Sequence, residues 1–145
     1  MNTMLAACVV GVALALGIVA FVRLIGFARR TFYATLALVN LTYYLLFAAI
    51  SGVPRTLVVE GIIALAFLAL VVFGFKRHTY AIVAALALHA VLDASHGFVV
   101  TSPATPTWWP AFCLTFDLTA AAALAWELER HPVPQLVTAH GPLQQ

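Results

Sequence analysis

The sequence predicts an all-α, polytopic transmembrane bundle of five spans. Three observations carry that prediction. Of the 145 residues, 64% are apolar and only 8% are charged. A soluble domain carries about 25% charged residues, and a core of this size cannot hide so much apolar surface, so the solvent of this chain is lipid. The mean hydropathy of +1.05 says the same. The apolar residues also fall into five runs, each close to the ~20 residues a helix needs to cross a bilayer. The connections between runs are short, which implies antiparallel neighbours in an up-down bundle.

The first run is Met4–Ala28. Leu5-Ala6-Ala7-Cys8 within it looks like a lipoprotein cleavage box. A signal peptide needs a basic segment and an apolar segment before the cut. Only seven residues precede Cys8 and none is positive, so the run is read as a retained span. Its stripe Ala7, Gly11, Ala15 is a small-residue packing face. Arg29-Arg30 connects to the second run, Thr31–Ile50, and the turn sequence Ser51-Gly52-Val53-Pro54 leads to the third, Arg55–Phe75. Lys76-Arg77-His78 precedes the fourth run, Thr79–Gly97. A Thr-, Ser- and Pro-containing segment from Phe98 to Pro106 leads to the fifth, Thr107–Glu127. Residues 1–130 form one domain. The tail 131–145, with Pro132, Pro134, Gly141 and Pro142, is expected to be disordered and cytoplasmic.

Lysine and arginine set the orientation. Arg29, Arg30, Lys76, Arg77 and Arg130 fall on one side and Arg55 alone on the other. The N-terminus is therefore expected outside and the C-terminus in the cytoplasm, which suits a bacterial inner membrane. Arg23 lies close enough to the inner end of the first span to snorkel. Trp108 and Trp109 sit at the outer end of the fifth, as interfacial aromatics do. The net charge of +2, without a basic stripe, argues against nucleic acid. Cys8 and Cys113 make no disulfide framework.

The polar residues inside the runs point to a site. His89, Asp93 and His96 are spaced i, i+4, i+7 and fall within an arc of roughly 60° on a helix. Ionisable residues in a span are costly and mark functional sites by default. At 1.5 Å per residue, His96 lies about 2 Å, Asp93 about 6 Å and His89 about 12 Å from the outer end of the fourth span. Asp117 lies about 15 Å, Cys113 about 9 Å and Glu60 about 7 Å below the outer ends of their own spans. All belong to the outer half. Cys113 and Asp117 share a face, i to i+4. Asn40 sits near mid-depth as a possible bridge between helices, with Tyr43 and Tyr44 above it as packing or interfacial residues. Glu127 and Glu129 read as interfacial charge at the inner edge.

Two imidazoles and one to three carboxylates can bind a divalent metal. Zinc takes His nitrogen and carboxylate oxygen, and two His with one carboxylate also suit non-haem iron. His89, Asp93, His96 and Asp117 are the candidate ligands. Asp117 and Glu60 are the candidate catalytic carboxylates, acting as general base. A bound metal would lower the pKa of a water. The competing reading is structural: His89 with Asp117, or His96 with Asp93, as satisfied pairs that hold the bundle. The spacing H-x3-D-x2-H is no diagnostic zinc motif.

Several blocks carry a resemblance: Arg23-Leu24-Ile25-Gly26, the Arg29-Arg30 turn into Tyr33, His89-Ala-Val-Leu-Asp93-Ala-Ser-His96, and Trp109-Pro110-Ala-Phe-Cys113 leading to Phe116-Asp117. The chain resembles a family of small bacterial integral-membrane proteins defined only as a domain of unknown function. The resemblance implies a multi-pass membrane protein, highlights His89, Asp93, His96 and Asp117, and supplies no activity. A looser likeness of site type is to metal-dependent membrane hydrolases with His and Asp on neighbouring helices, and such analogy does not establish function.

The expected function is a metal-dependent membrane enzyme acting on a lipid or other apolar substrate, hydrolase first and oxidoreductase second, with zinc or iron as the divalent metal. A small proton or metal-ion carrier, a metal-free acid catalyst and a non-catalytic subunit of a membrane complex are the alternatives. A homo-oligomer is compatible with each. His89 and His96 lie about 10 Å apart along the helix axis, too far for one metal without a bend. The sharper expectation is a core of His89, Asp93 and Asp117, with His96 at the mouth.

Overall fold

The structure, a computed structural model, describes residues 2–100 and 102–131. It contains five α-helices: α1 (Thr3–Leu24), α2 (Arg29–Ser51), α3 (Pro54–Lys76), α4 (Tyr80–Val99) and α5 (Trp109–Arg130). There is no strand among the described residues. Each helix is long and apolar enough to cross a membrane. In hydrocarbon every backbone N–H and C=O needs an internal partner, and a helix supplies one within a single segment. Apart from His131, the expected tail over 131–145 lies outside the described residues.

The helix ends differ from the expected spans for local reasons. The first span was expected to reach Ala28, yet α1 stops at Leu24. Gly26 takes φ +68°. Its N–H donates to Arg23 O at 3.2 Å and the N–H of Phe27 donates to Val22 O at 3.2 Å. That pair of bonds is a Schellman motif, which needs a left-handed residue that glycine adopts without strain. The helix therefore closes early, and α2 takes in Arg29 and Arg30, expected as the connection. Gly52, at φ +66°, ends α2, and Pro54 opens α3, where a missing N–H costs nothing. The same logic starts α5 at Trp109 rather than Thr107, because Pro110 must lie in the first turn. α4 runs through Gly97 to Val99 and stops where Val100 turns extended.

The order of neighbours corrects the simple up-down picture. α5 packs on α4, α4 on α3 and α3 on α2, but α1 packs chiefly on α5 rather than on α2. The cause is the small-residue stripe. Ala7, Gly11, Ala15 and Val19 are the buried residues of α1. A Cβ on Gly11 would collide with Thr115 Oγ1 and Phe112 O. The Thr115 hydroxyl donates to Cys8 O at 3.1 Å across the same contact. Without a side chain at Gly11 the two backbones approach closely, the arrangement that small residues permit between membrane helices.

One end of the bundle is basic. Arg29 Nη1 donates to Glu127 O at 2.7 Å. Arg30 Nε donates to Thr79 Oγ1 at 3.0 Å, and its Nη1 donates to Phe75 O at 3.1 Å. These bonds gather the α1–α2 turn, the α3–α4 turn and the end of α5. The opposite end holds the α2–α3 turn, Arg55, Trp108 and Trp109. Between the ends lies an apolar core that includes Tyr33, Ala37, Val71, Ile82, Leu86, Ala121 and Leu124. Large apolar residues along the helices face outward, among them Leu5, Val9, Phe21, Ile62, Leu65 and Val91, whereas His89, Asp93, His96, Asp117, Glu60 and Asn40 are all buried. Apolar outside and ionisable inside is the distribution that a lipid solvent selects.

Candidate metal centre

The site begins about two turns inside the tryptophan end of the bundle. On α4, buried positions recur as Ile82, Ala85, Leu86, His89, Ala90, Asp93 and His96, one continuous inward face. On α5 the buried face includes Cys113, Phe116, Asp117, Ala120 and Ala121. α4 and α5 pack directly on each other, so Asp117 meets His89. His89 Nδ1 lies 2.7 Å from Asp117 Oδ2 and 3.4 Å from Asp93 Oδ2. One donor atom from each of these three residues lies within 4.8 Å of the others.

α2 completes this group with two residues one turn apart. Asn40 Nδ2 donates to Asp117 Oδ1. The Tyr44 hydroxyl donates to Asp93 Oδ1 at 2.6 Å. Each carboxylate thus has one oxygen tied by α2 and turns the other toward His89. Asp93 Oδ2 is buried and has no hydrogen-bond partner. A buried carboxylate oxygen without a donor is costly, and a cation is one group that offsets such a cost.

His96 and Glu60 do not join that cluster. They pair with each other, His96 Nε2 to Glu60 Oε1 at 2.9 Å, and both are buried. The structural alternative of a His96–Asp93 pair is therefore replaced: Asp93 is bonded by Tyr44, and His96 by Glu60. The Tyr44 ring connects the two groups. It stacks on His96 with ring centroids 4.1 Å apart and an interplanar angle of 22°. Its hydroxyl meanwhile holds Asp93. His96, expected at the mouth of the site, is only 4% exposed. α4 continues one turn beyond it, and the Tyr44 ring covers it.

Sequence alone marks Tyr44 as packing and Asn40 only as a possible bridge. The pattern of α2 carried the missing signal. Ala37, Asn40, Leu41, Tyr44 and Ala48 recur at helical spacing and are all buried, so the two polar members of that face had to meet other helices. Tyr43 points away, against Trp109, with centroids 4.9 Å apart. Cys113 is buried beside Asn40, on the wall of an apolar groove between α1, α2 and α5 of about 540 Å³. A cavity of about 10 Å³ touches Asn40, His89 and Asp117, at the lower limit of the space one water needs.

Glu127 also departs from the expected interfacial charge. It is 8% exposed. It accepts from Arg23 Nε at 2.7 Å and from the Tyr33 hydroxyl at 3.1 Å, with Arg29 Nε at 3.8 Å. It therefore ties α1, α2 and α5 together at the basic end.

The donor set suits a divalent ion in type and count. Metal–ligand bonds of about 2.0–2.2 Å to nitrogen and oxygen place neighbouring donors a little over 3 Å apart. The His89–Asp93 separation of 3.4 Å already has that spacing, while the His89–Asp117 contact of 2.7 Å would have to open. Comparisons with protein families, with curated proteins and with solved structures return no match to this chain. The meaning of the site therefore rests on its own geometry.

Proposed function

We propose that the chain is a metal-dependent membrane enzyme of the bacterial inner membrane, acting on a lipid or other apolar substrate. The observation that carries the reading is the convergence of His89 Nδ1, Asp93 Oδ2 and Asp117 Oδ2, with Asp93 Oδ2 in no hydrogen bond and His89 Nδ1 3.4 Å from it. His89, Asp93 and Asp117 hold the ion. A divalent ion there would supply a water of lowered pKa. Asn40 and Tyr44 fix which carboxylate oxygens face it. Asp117 is the ligand best placed to double as base, and the Glu60–His96 pair behind Tyr44 is a second store for a proton. Hydrolysis is the first reaction class, oxidation the second, and zinc or iron the matching metals.

The substrate class follows from access. The groove between α1, α2 and α5 is apolar and opens to the side of the bundle, and Asn40 and Cys113 line it next to Asp117. The excess of Lys and Arg at the opposite end favours the cytoplasm for that end. The N-terminus and the tryptophan end, and with them the site, then face the outer leaflet.

A proton or metal-ion carrier is the runner-up. It is favoured by the pairing of each buried imidazole with a carboxylate, the composition of a relay. Against it, Val71, Ile82, Leu86, Ala120 and Leu124 form an apolar layer between Asp117 and the Tyr33–Glu127 group. The deciding experiment is elemental analysis of detergent-purified protein, wild type beside His89→Ala and Asp93→Ala, followed by turnover of phospholipid esters. About one zinc or iron per chain in wild type, lost in both variants, is expected. Metal-free wild type purified without chelators overturns the reading. Bound metal with proteoliposome ion flux and no turnover replaces it with the carrier.

A further inference from the structure

A second groove, of about 670 Å³, runs along α1 and α5 toward the basic end. Its apolar walls come from Leu16, Val19 and Ala20 of α1 and from Leu118, Ala122 and Ala123 of α5. No residue of α2, α3 or α4 lines it, so it opens to the side of the bundle. Arg23 and Trp126 also line it. Arg23 is the penultimate residue of α1 and Trp126 lies about one turn from the end of α5, so both belong to its basic end.

Two guanidiniums gather on that one indole. Arg23 Cζ lies 5.1 Å from the Trp126 ring centroid and Arg130 Cζ lies 4.5 Å from it. Cation–π contacts of this kind are attractive, but they leave the net charge in place. Glu127 is the acid at this point, and it is shared between Arg23 and Arg29. Arg130 has no carboxylate partner among the described residues. Exposed Glu129 is its chain neighbour, yet no ion pair joins them. The end of the groove is thus cationic and only partly compensated, and the groove itself is apolar.

We infer that this groove binds one anionic phospholipid, with its phosphate between Arg23 and Arg130 and one acyl chain lying along α1 and α5. Charge complementarity selects the headgroup, because basic pockets between membrane helices capture anionic lipid heads. The groove selects a lipid over a free phosphate. From Arg23 to Leu16 the wall extends about 10 Å along the helix axis, apolar surface that an inorganic ion would leave uncovered. Trp126 sits where head and chain meet, the depth that tryptophan favours. The inference is independent of the metal centre and shares no residue with it.

The test uses the full chain in mild detergent, titrated with phosphatidylglycerol or phosphatidylcholine and read by native mass spectrometry. Wild type is expected to bind phosphatidylglycerol roughly fivefold or more tightly, since one basic side chain is worth about a factor of five toward an anionic lipid. Arg130→Gln removes one guanidinium and leaves the Arg23–Glu127 tie intact, so it should erase most of that preference. Ala122→Trp fills the groove from an exposed position and should weaken both lipids. Arg77→Gln removes the same charge from the basic end but away from the groove, and should keep the wild-type preference. The inference is overturned if Arg77→Gln loses as much preference as Arg130→Gln, which would make the effect one of general charge. It is also overturned if Ala122→Trp binds like wild type, or if millimolar inorganic phosphate displaces the lipid. A thermal unfolding scan of each variant separates lost binding from lost fold.

Discussion

Asp93 is the residue on which the site turns. One oxygen accepts from Tyr44 and the other makes no hydrogen bond, with His89 Nδ1 3.4 Å away, so the group is held in place but not fully satisfied. Tyr44→Phe removes the one donor it has while preserving the ring that stacks on His96. Buried hydrogen bonds between membrane helices are worth about 1 kcal/mol, and a stranded buried acceptor costs about 1–3 kcal/mol. Tyr44→Phe should therefore lower stability by about 1–2 kcal/mol, read as an earlier unfolding midpoint in mixed micelles. An unchanged midpoint would mean that the hydroxyl contributes nothing. Because Tyr44 is not a ligand, the variant should still bind metal, whereas His89→Ala should not. Asn40→Leu makes a matched case at Asp117. It strands Oδ1 and introduces a bulkier apolar group, so it should destabilise by a similar amount and loosen metal affinity by about tenfold, the lower end of the effect of removing a hydrogen bond that orients a ligand. Isothermal titration with zinc measures that change.

At the scale of the helix, α1 is the element with the narrowest support. It rests chiefly on α5, through the stripe at Ala7, Gly11 and Ala15 and through Arg23 on Glu127. Gly11→Val should separate the two helices, because its Cβ would land on Thr115 and on the Phe112 carbonyl, a backbone atom that cannot give way. A loss of about 1–3 kcal/mol is expected from such overpacking. A Cβ on Gly17 would meet nothing within 4 Å, so Gly17→Val is the control and should change little. Comparing the two melting temperatures in detergent decides the point; equal shifts would remove the close approach as the cause. Gly26→Ala acts on the same helix through its end. Its φ of +68° costs a non-glycine residue about 1–2 kcal/mol.

For the whole molecule the prediction concerns direction across the membrane. Lys76 and Arg77 lie at one end and Val53 at the other. In cells, with Cys8 and Cys113 replaced by alanine, Val53→Cys should react with a membrane-impermeant maleimide added outside. Arg77→Cys should react only after the membrane is permeabilised. The reverse pattern would put the candidate metal centre in the inner half and move the proposed substrate to the inner leaflet. The two ends also differ chemically. The tryptophan end leads to two buried acid–imidazole pairs, while the basic end holds one buried glutamate among arginines. The apolar layer between them keeps the two apart.

Much of this was legible in the chain before folding. Five apolar runs and their breaks define five helices, because hydrocarbon leaves the backbone no other way to satisfy its own polar groups. The i, i+4, i+7 spacing put His89, Asp93 and His96 on one face for a local geometric reason. Their partners depend on how the helices are arranged, which spacing along a chain does not encode. Glu60 could have met either histidine, and it went to His96. Asn40 read as a bridge without a partner, and Tyr44 as a packing or interfacial residue, and only the contact of α2 with both α4 and α5 gave them their acids. The neighbour of α1 was misjudged because a short connection favours contact with α2, whereas a glycine stripe favours whichever partner offers a matching surface. Composition and local periodicity thus determined the class, the spans and the polar face of α4. Only the tertiary structure decided which acid pairs with which imidazole, since that choice depends on contacts between residues far apart in the chain.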